Sequence, residues 1–201
     1  MGVLGATNLS GEELEIELNW IDSQVNGLHY GVDLIVPNNF VGKGEDLTDE
    51  QMLEKIPQSH KDFANSILEK HGIKVDPDEL ESDRVNHLRF GKNMTPEGAS
   101  ESLRVAFNHP IKMIVNALGM PPKEMVDMAK ERNVLVGALV GAKKHAINQV
   151  NAGVDVLIVA GGEAGGHCGE VSTMVLIPEV YNAVKDMKNV SILAAGGIAT
   201  G

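Results

Sequence analysis

The stretch "IKMIVNALGMPPKEMVDMAKERNVLVGALVGAKKHAINQVNAGVDVLIVAGG", residues 111–162, decides the fold. Apolar runs recur at 111–117, 134–140 and 154–160, each too short for a helix. Between them, 121–133 and 142–153 carry apolar residues at helical spacing, and the second ends at Gly153. Short runs that are apolar at most positions suit strands of a parallel sheet wrapped by helices. Strand–helix alternation then means parallel strands joined by right-handed crossovers.

The same unit repeats in both directions. Upstream, "GVLGAT" (2–7) is a short apolar run, and Ser10 opens a capping box with Glu13. Leu14, Leu18, Ile21 and Val25 continue it as an amphipathic helix, and "YGVDLIVP" (30–37) is a strand stopped by Pro37. Downstream, a helix carrying Val180, Tyr181, Val184 and Met187 leads into "VSILAAGGIATG" (190–201), a strand running into glycines. Residues 42–93 break the rhythm. Thr48 and Gln51 form a capping pair, Pro57 interrupts, and a helix with Phe63, Ile67 and Leu68 stops at Gly72. The remainder, "DPDELESDRVNHLRFGKN" (76–93), is charged and irregular. This segment has too little apolar content for its own core, so it reads as a helical insertion in a single domain spanning 1–201. Thr95-Pro96 then starts a helix that runs to about Asn108.

Two parallel architectures compete. A doubly wound sheet would place G-x-G-x-x-G after its first strand, and neither that spacing nor G-x-x-x-x-G-K-[ST] occurs. A (β/α)8 barrel of the TIM type puts polar or glycine groups at the C-terminal end of each strand. Here those ends carry Thr7-Asn8, Asn38-Asn39, Asn116, Gly141, the glycines from 161 and Gly196-Gly197. The barrel is favoured. Six strands are legible where closure needs eight, so the expectation is an incomplete barrel, from a truncated domain or a partial reading frame.

Composition narrows the function. Aromatics are 3% and hydrophobic residues 43%, which gives an aliphatic core. The formal charge is −11 with no basic patch, which argues against a nucleic-acid partner. No apolar run approaches a bilayer span, and the start lacks a signal-peptide pattern. The single cysteine, Cys168, excludes an internal disulfide and fits a reducing cytoplasm. His29, His60, His71, His87, His109 and His145 show no metal-ligand spacing, so no metal site is expected. Trp20 and Tyr30 read as packing residues rather than cofactor stackers.

The chemistry concentrates in "GGEAGGHCGE", residues 161–170. It holds five glycines and one imidazole directly after the most apolar strand. One reading is a flexible loop with an exposed histidine. The other has Gly165 and Gly166 give close backbone approach to a flat ligand, with His167 over it as an acid, a base or an anion partner. Glu163 could orient His167 or cap the next helix. Cys168 completes no triad and is read as a bystander. One unit later, "AAGGIATG" (194–201) offers adjacent N–H groups suited to an anion, in the region where barrels hold phosphates.

"GGEAGGHCGEVSTMVLIPEV" followed by "ILAAGGIATG" resembles the nitronate monooxygenase family, formerly 2-nitropropane dioxygenases. "GVLGAT", "YGVDLIVP" and "VNALGMPP" look like further strand ends of that family, so the resemblance covers the chain. It implies an FMN-dependent TIM barrel that oxidises alkyl nitronates with O2. It implies that His167 is the catalytic histidine, that Gly165 and Gly166 border the flavin ring, and that Gly196 and Gly197 hold its phosphate. Asp33 falls where many members carry asparagine near the flavin, and Ala160 where many carry glutamine. A first strand with a glycine–methionine flavin contact and an eighth with a second phosphate loop are absent here. FMN-dependent enoyl-ACP reductases using NAD(P)H share much of the loop and form the second reading. A non-catalytic barrel fragment, or a barrel that binds a phosphorylated ligand without redox chemistry, forms the third. A homodimer is the working expectation for assembly.

Overall fold

The computed structural model describes residues 1–37, 51, 54–74, 95–187 and 190–198. The strand-end pair Asn38-Asn39, the Thr48 cap and the last residues of the second glycine cluster lie outside these. The chain divides into two compact units, one of Met1–Asn38 with Asn93–Gly201, the other of Asn39–Lys92.

The first unit alternates strands and helices. Its strands are β1 (Gly2–Gly5), β2 (Tyr30–Leu34), β3 (Met113–Asn116), β4 (Leu135–Val140), β5 (Val156–Ala160) and β6 (Ser191–Ala195). Its helices are α1 (Gly11–Gln24), α3 (Pro96–Asn108), α4 (Lys123–Glu131), α5 (Lys143–Ala152) and α6 (Thr173–Val184). In the second unit, α2 (Gln58–Lys70) ends where expected: Gly72 takes φ +64° and Ile73 N–H donates to Leu68 O.

All strand pairs are parallel, and the sheet order is β1-β2-β3-β4-β5-β6. This order separates the two competing architectures. A doubly wound sheet reverses its order at a switch point and carries helices on both faces. Here the order never reverses, so successive right-handed crossovers put the helices on one side. The burial pattern agrees. Val32, Leu34, Ile114, Val136, Leu157 and Val159 share one core with Leu14 and Leu18 of α1, Leu103 of α3, Met125 of α4, Val150 of α5 and Leu176 of α6. The alternate residues Met113, Val115 and Val156, with Ile158 against them, form a separate small cluster on the other face. That second face is the inner wall of the arc. Among the described residues the fold is a (β/α)8-type barrel wall of six strands.

Local chemistry sets the helix ends. Ser10 Oγ accepts from Glu13 N–H while Glu13 Oε2 accepts from Ser10 N–H, the reciprocal box read from the sequence. Thr95 Oγ1 accepts from Gly98 N–H, with Pro96 at the first helical position. Gly153 closes α5 in the left-handed region at φ +103°. Trp20 departs from expectation: it is 62% exposed. Leu14, Leu18, Ile21 and Val25 hold the core stripe of α1, and residue 20 turns about 200° away from Leu18. Tyr30 is buried and donates its hydroxyl to Asp22 Oδ1 at 2.7 Å.

Candidate functional site

The C-terminal strand ends are knitted by polar side chains whose partners are far away in the chain. Asn116 is fully buried: its Oδ1 accepts from Val36 N–H at 2.8 Å, and its Nδ2 donates to Leu118 O at 2.9 Å. It staples the exit of β2 to the loop after β3. The sequence offered Asn116 as a strand-end ligand group; its polar atoms are spent on backbone instead. Gln149 of α5, also buried, donates to Leu139 O at 3.0 Å at the end of β4. Gly141 serves packing, because a Cβ there would meet Gly169 N at 3.3 Å, bringing the loop after β4 against the loop after β5.

Glu163 and Thr173 organise the glycine loop. Glu163 Oε2 accepts from Thr173 N–H at 2.6 Å and from Thr173 Oγ1 at 2.8 Å. Glu163 therefore caps α6 rather than orienting His167. The N–H donor and then the hydroxyl hold its carboxyl below the usual range. A carboxylate at a helix N-terminus is further favoured by the helix dipole. Thr173 is itself buried, and its Oγ1 accepts from Gly161 N–H at 3.1 Å. The same hydroxyl lies 3.3 Å from Gly196 O in the turn after β6. Gly161 is required here, since a Cβ would collide with Thr173 N. One threonine thus joins the start of the glycine loop, its carboxylate, the head of α6 and the next glycine turn. Local rules point to Ser172 as the cap, yet its side chain makes no capping bond. The sequence offered the cap as one of two roles for Glu163 and gave no sign of Thr173.

The loop and the turn are brought together. Gly196 and Gly197 both have positive φ, +82° and +74°. A Cβ on Gly196 would lie 2.9 Å from Ala164 Cβ, and one on Gly197 would lie 3.0 Å from Glu163 Cβ. Between these anchors, Gly165 and Gly166 stand clear, with nothing within 4 Å of a Cβ at either. His167 and Cys168 are exposed beyond them. The result is a pinned loop whose crest presents bare backbone and one imidazole.

Asp33 stands apart, on the inner wall of β2. In the strand register it neighbours Gly5 of β1 and Val115 of β3. Its Oδ1 is buried and has no hydrogen-bond partner among the described residues. Burial among apolar neighbours pushes its carboxyl up to about 6. Such an orphaned oxygen is uncommon in folded proteins and asks for a partner.

A quite different polar cluster sits at the opposite, N-terminal end of the strands. His109 Nδ1 is 2.7 Å from Asp22 Oδ2 and its Nε2 is 3.2 Å from Glu15 Oε2, with Tyr30 on the other Asp22 oxygen. In barrels this end serves stability.

The nitronate monooxygenase family model matches residues 1–201 of the chain. The chain is 42% identical over all 201 residues to "Putative monooxygenase Rv1533" of Mycobacterium tuberculosis, covering 52% of that protein. It is 35% identical over 118 residues to the M. tuberculosis protein named (3aS,4S,5R,7aS)-5-hydroxy-7a-methyl-1-oxo-octahydro-1H-indene-4-carboxyl-CoA dehydrogenase, covering 58% of this chain and 33% of that one. Among solved structures, nitroalkane oxidase from Streptomyces ansochromogenes superposes with a TM-score of 0.68 at 20% identity, over 98% of this chain and 51% of that one. A FabK variant from Thermotoga maritima gives 0.63 at 21%, over 99% and 46%. The chain spans about half the length of the relatives it matches end to end. With its whole length matched by the family model and its sheet in barrel order, the chain belongs to the nitronate monooxygenase family.

Proposed function

We propose that this chain binds FMN and serves the oxidation of alkyl nitronates by molecular oxygen. The observation that carries the reading is the pinned glycine loop, which offers open backbone at Gly165-Gly166 and an exposed His167. The residues present fit a flat cofactor with an anionic tail. Gly165 and Gly166 leave clearance for a ring, Gly196 and Gly197 turn backbone at the end of β6 where a phosphate would be held, and Asp33 supplies an unpartnered polar oxygen. When bound, FMN would supply the acceptance of electrons and their transfer to oxygen.

The chain's own residues bind and orient. His167 would steady the anionic substrate, or take the proton from a neutral nitroalkane. Glu163 and Thr173 hold the loop beneath it by charge-assisted and hydroxyl hydrogen bonds. In the full protein, His167→Ala is expected to keep the fold and lower turnover by roughly 10²- to 10⁴-fold, the range of a lost acid–base group. Steady-state assay with a nitronate checks this, and an unchanged rate would remove His167 from the chemistry.

A second reading, oxidation or reduction of an acyl thioester, is favoured by the relative named as a CoA dehydrogenase. Stopped-flow mixing separates the two: flavin reduced quickly by a nitronate supports the first, and flavin reduced only by NAD(P)H or a CoA thioester supports the second. The reading includes a cytoplasmic homodimer, which sedimentation of the purified protein tests.

A further inference from the structure

We propose that Asp33 acts as an undissociated carboxylic acid that donates a hydrogen bond to an acceptor atom of the flavin ring. The inference rests on the FMN reading above and assigns the chemical state of one of its contacts.

Three observations carry it. First, Asp33 faces the inner wall. Val32 and Leu34 on either side belong to the helix-side core, and Gly31, two residues earlier, abuts Met113 of the inner cluster. Second, its Oδ1 is enclosed with no hydrogen-bond partner among the described residues, a setting that disfavours the charged form of the group. Third, no charge among the described residues compensates it. On the inner wall its strand neighbours are Val3 and Gly5 of β1, and Met113 and Val115 of β3, none of which titrates. Tyr30, the one other titratable residue of β2, is committed to Asp22. Without a neighbouring cation, burial alone acts on the carboxyl and holds its proton up to about pH 6.

The hydrogen-bond inventory then decides the role. A carboxylate only accepts, whereas the neutral acid donates through its O–H. The polar edge of a flavin ring presents mostly acceptors, two carbonyl oxygens and unprotonated ring nitrogens. The neutral acid complements that edge, and the ionised form sets charge against lone pairs. Binding should therefore track the neutral fraction of Asp33. An asparagine would donate without titrating, which makes Asp33→Asn the informative variant.

The test is the dissociation constant of riboflavin, followed by quenching of its fluorescence from pH 5 to 8, for the wild-type protein and Asp33→Asn. Riboflavin removes the FMN phosphate, whose second ionisation near pH ~6 would otherwise intrude. His167 is common to both proteins and cancels in the comparison. The wild-type constant is expected to rise roughly ten-fold per pH unit above about 6, while Asp33→Asn stays flat near the wild-type low-pH value. Flavin binding with parallel profiles for both proteins would overturn the inference and leave the FMN reading standing. No binding of riboflavin or FMN at any pH would overturn both. A carbon-13 NMR titration of the Asp33 carboxyl in the wild-type protein guards against a misfolded variant: a midpoint near the ordinary value of 3.8 would also overturn the inference.

Discussion

At the scale of single residues, two side chains carry opposite lessons. Asp33 is a partly buried carboxyl whose folded-state value is raised, so its stability contribution is fully present below pH 3.8 and is lost as pH rises through about 6. Asp33→Asn is therefore expected to stabilise the protein at pH 8 by about 1–2 kcal/mol after discounting for solvent screening, and to change little at pH 4. Urea unfolding at the two pH values checks this. Asn116 is the reverse case, a polar side chain fully spent on backbone. Asn116→Ala would strand Val36 N–H and Leu118 O and is expected to cost about 2–3 kcal/mol, read in the same urea transition. The sequence marked Asn116 as a polar group at a strand end, and Asp33 only through the family resemblance. The partner of Asn116 is 80 residues away, and the isolation of Asp33 depends on strands from three segments packing around it.

At the scale of elements, helix caps that use nearby residues were legible and those that reach across the fold were not. Ser10–Glu13, Thr95-Pro96 and Gly153 each follow a rule spanning four residues or fewer, and each is in place. At the head of α6 the sequence left Glu163 between two roles, and the structure has it reach ten residues forward to cap at Thr173. Thr173→Val is expected to leave Gly161 N–H unsatisfied, cost about 1–3 kcal/mol, and speed amide exchange across 161–172, whereas Ser172→Ala leaves that exchange unchanged. Exchange measured by mass spectrometry distinguishes the two. The loop crest was legible because glycines and one imidazole announce themselves in any sequence; its anchoring was hidden because a carboxylate and a hydroxyl have many uses. The N-terminal-end cluster has its own pH signature. Burial pushes the Asp22 carboxyl up, but donors from His109 and Tyr30 outweigh it and the net shift is downward. A lowered carboxyl stabilises above its unfolded value and loses that contribution as pH falls through its folded one. Asp22→Asn should thus lower the melting temperature at pH 7 and lower it less at pH 3, which differential scanning calorimetry resolves.

At the scale of the whole molecule, the rhythm of short apolar runs alternating with helical spacing was enough to give six parallel strands, because that pattern needs no long-range information to be recognised. The direction of winding came from what was missing, a dinucleotide-type glycine turn, and the unreversed strand order bears it out. Leu135, Leu139 and Leu193 on the inner wall remain 48%, 37% and 48% exposed, an extent that the sequence, reading them as ordinary strand residues, did not register. The unreversed order has another consequence, for how the protein is made. Every strand lies beside the one translated just before it, and each crossover helix is complete before the next strand is needed. A chain leaving the ribosome would find each new strand's partner already in place, with no threading. Loop closure costs a small entropy at each step, largest for the long connection from Leu34 to Met113, and the cost grows only slowly with length, so folding can follow synthesis strand by strand.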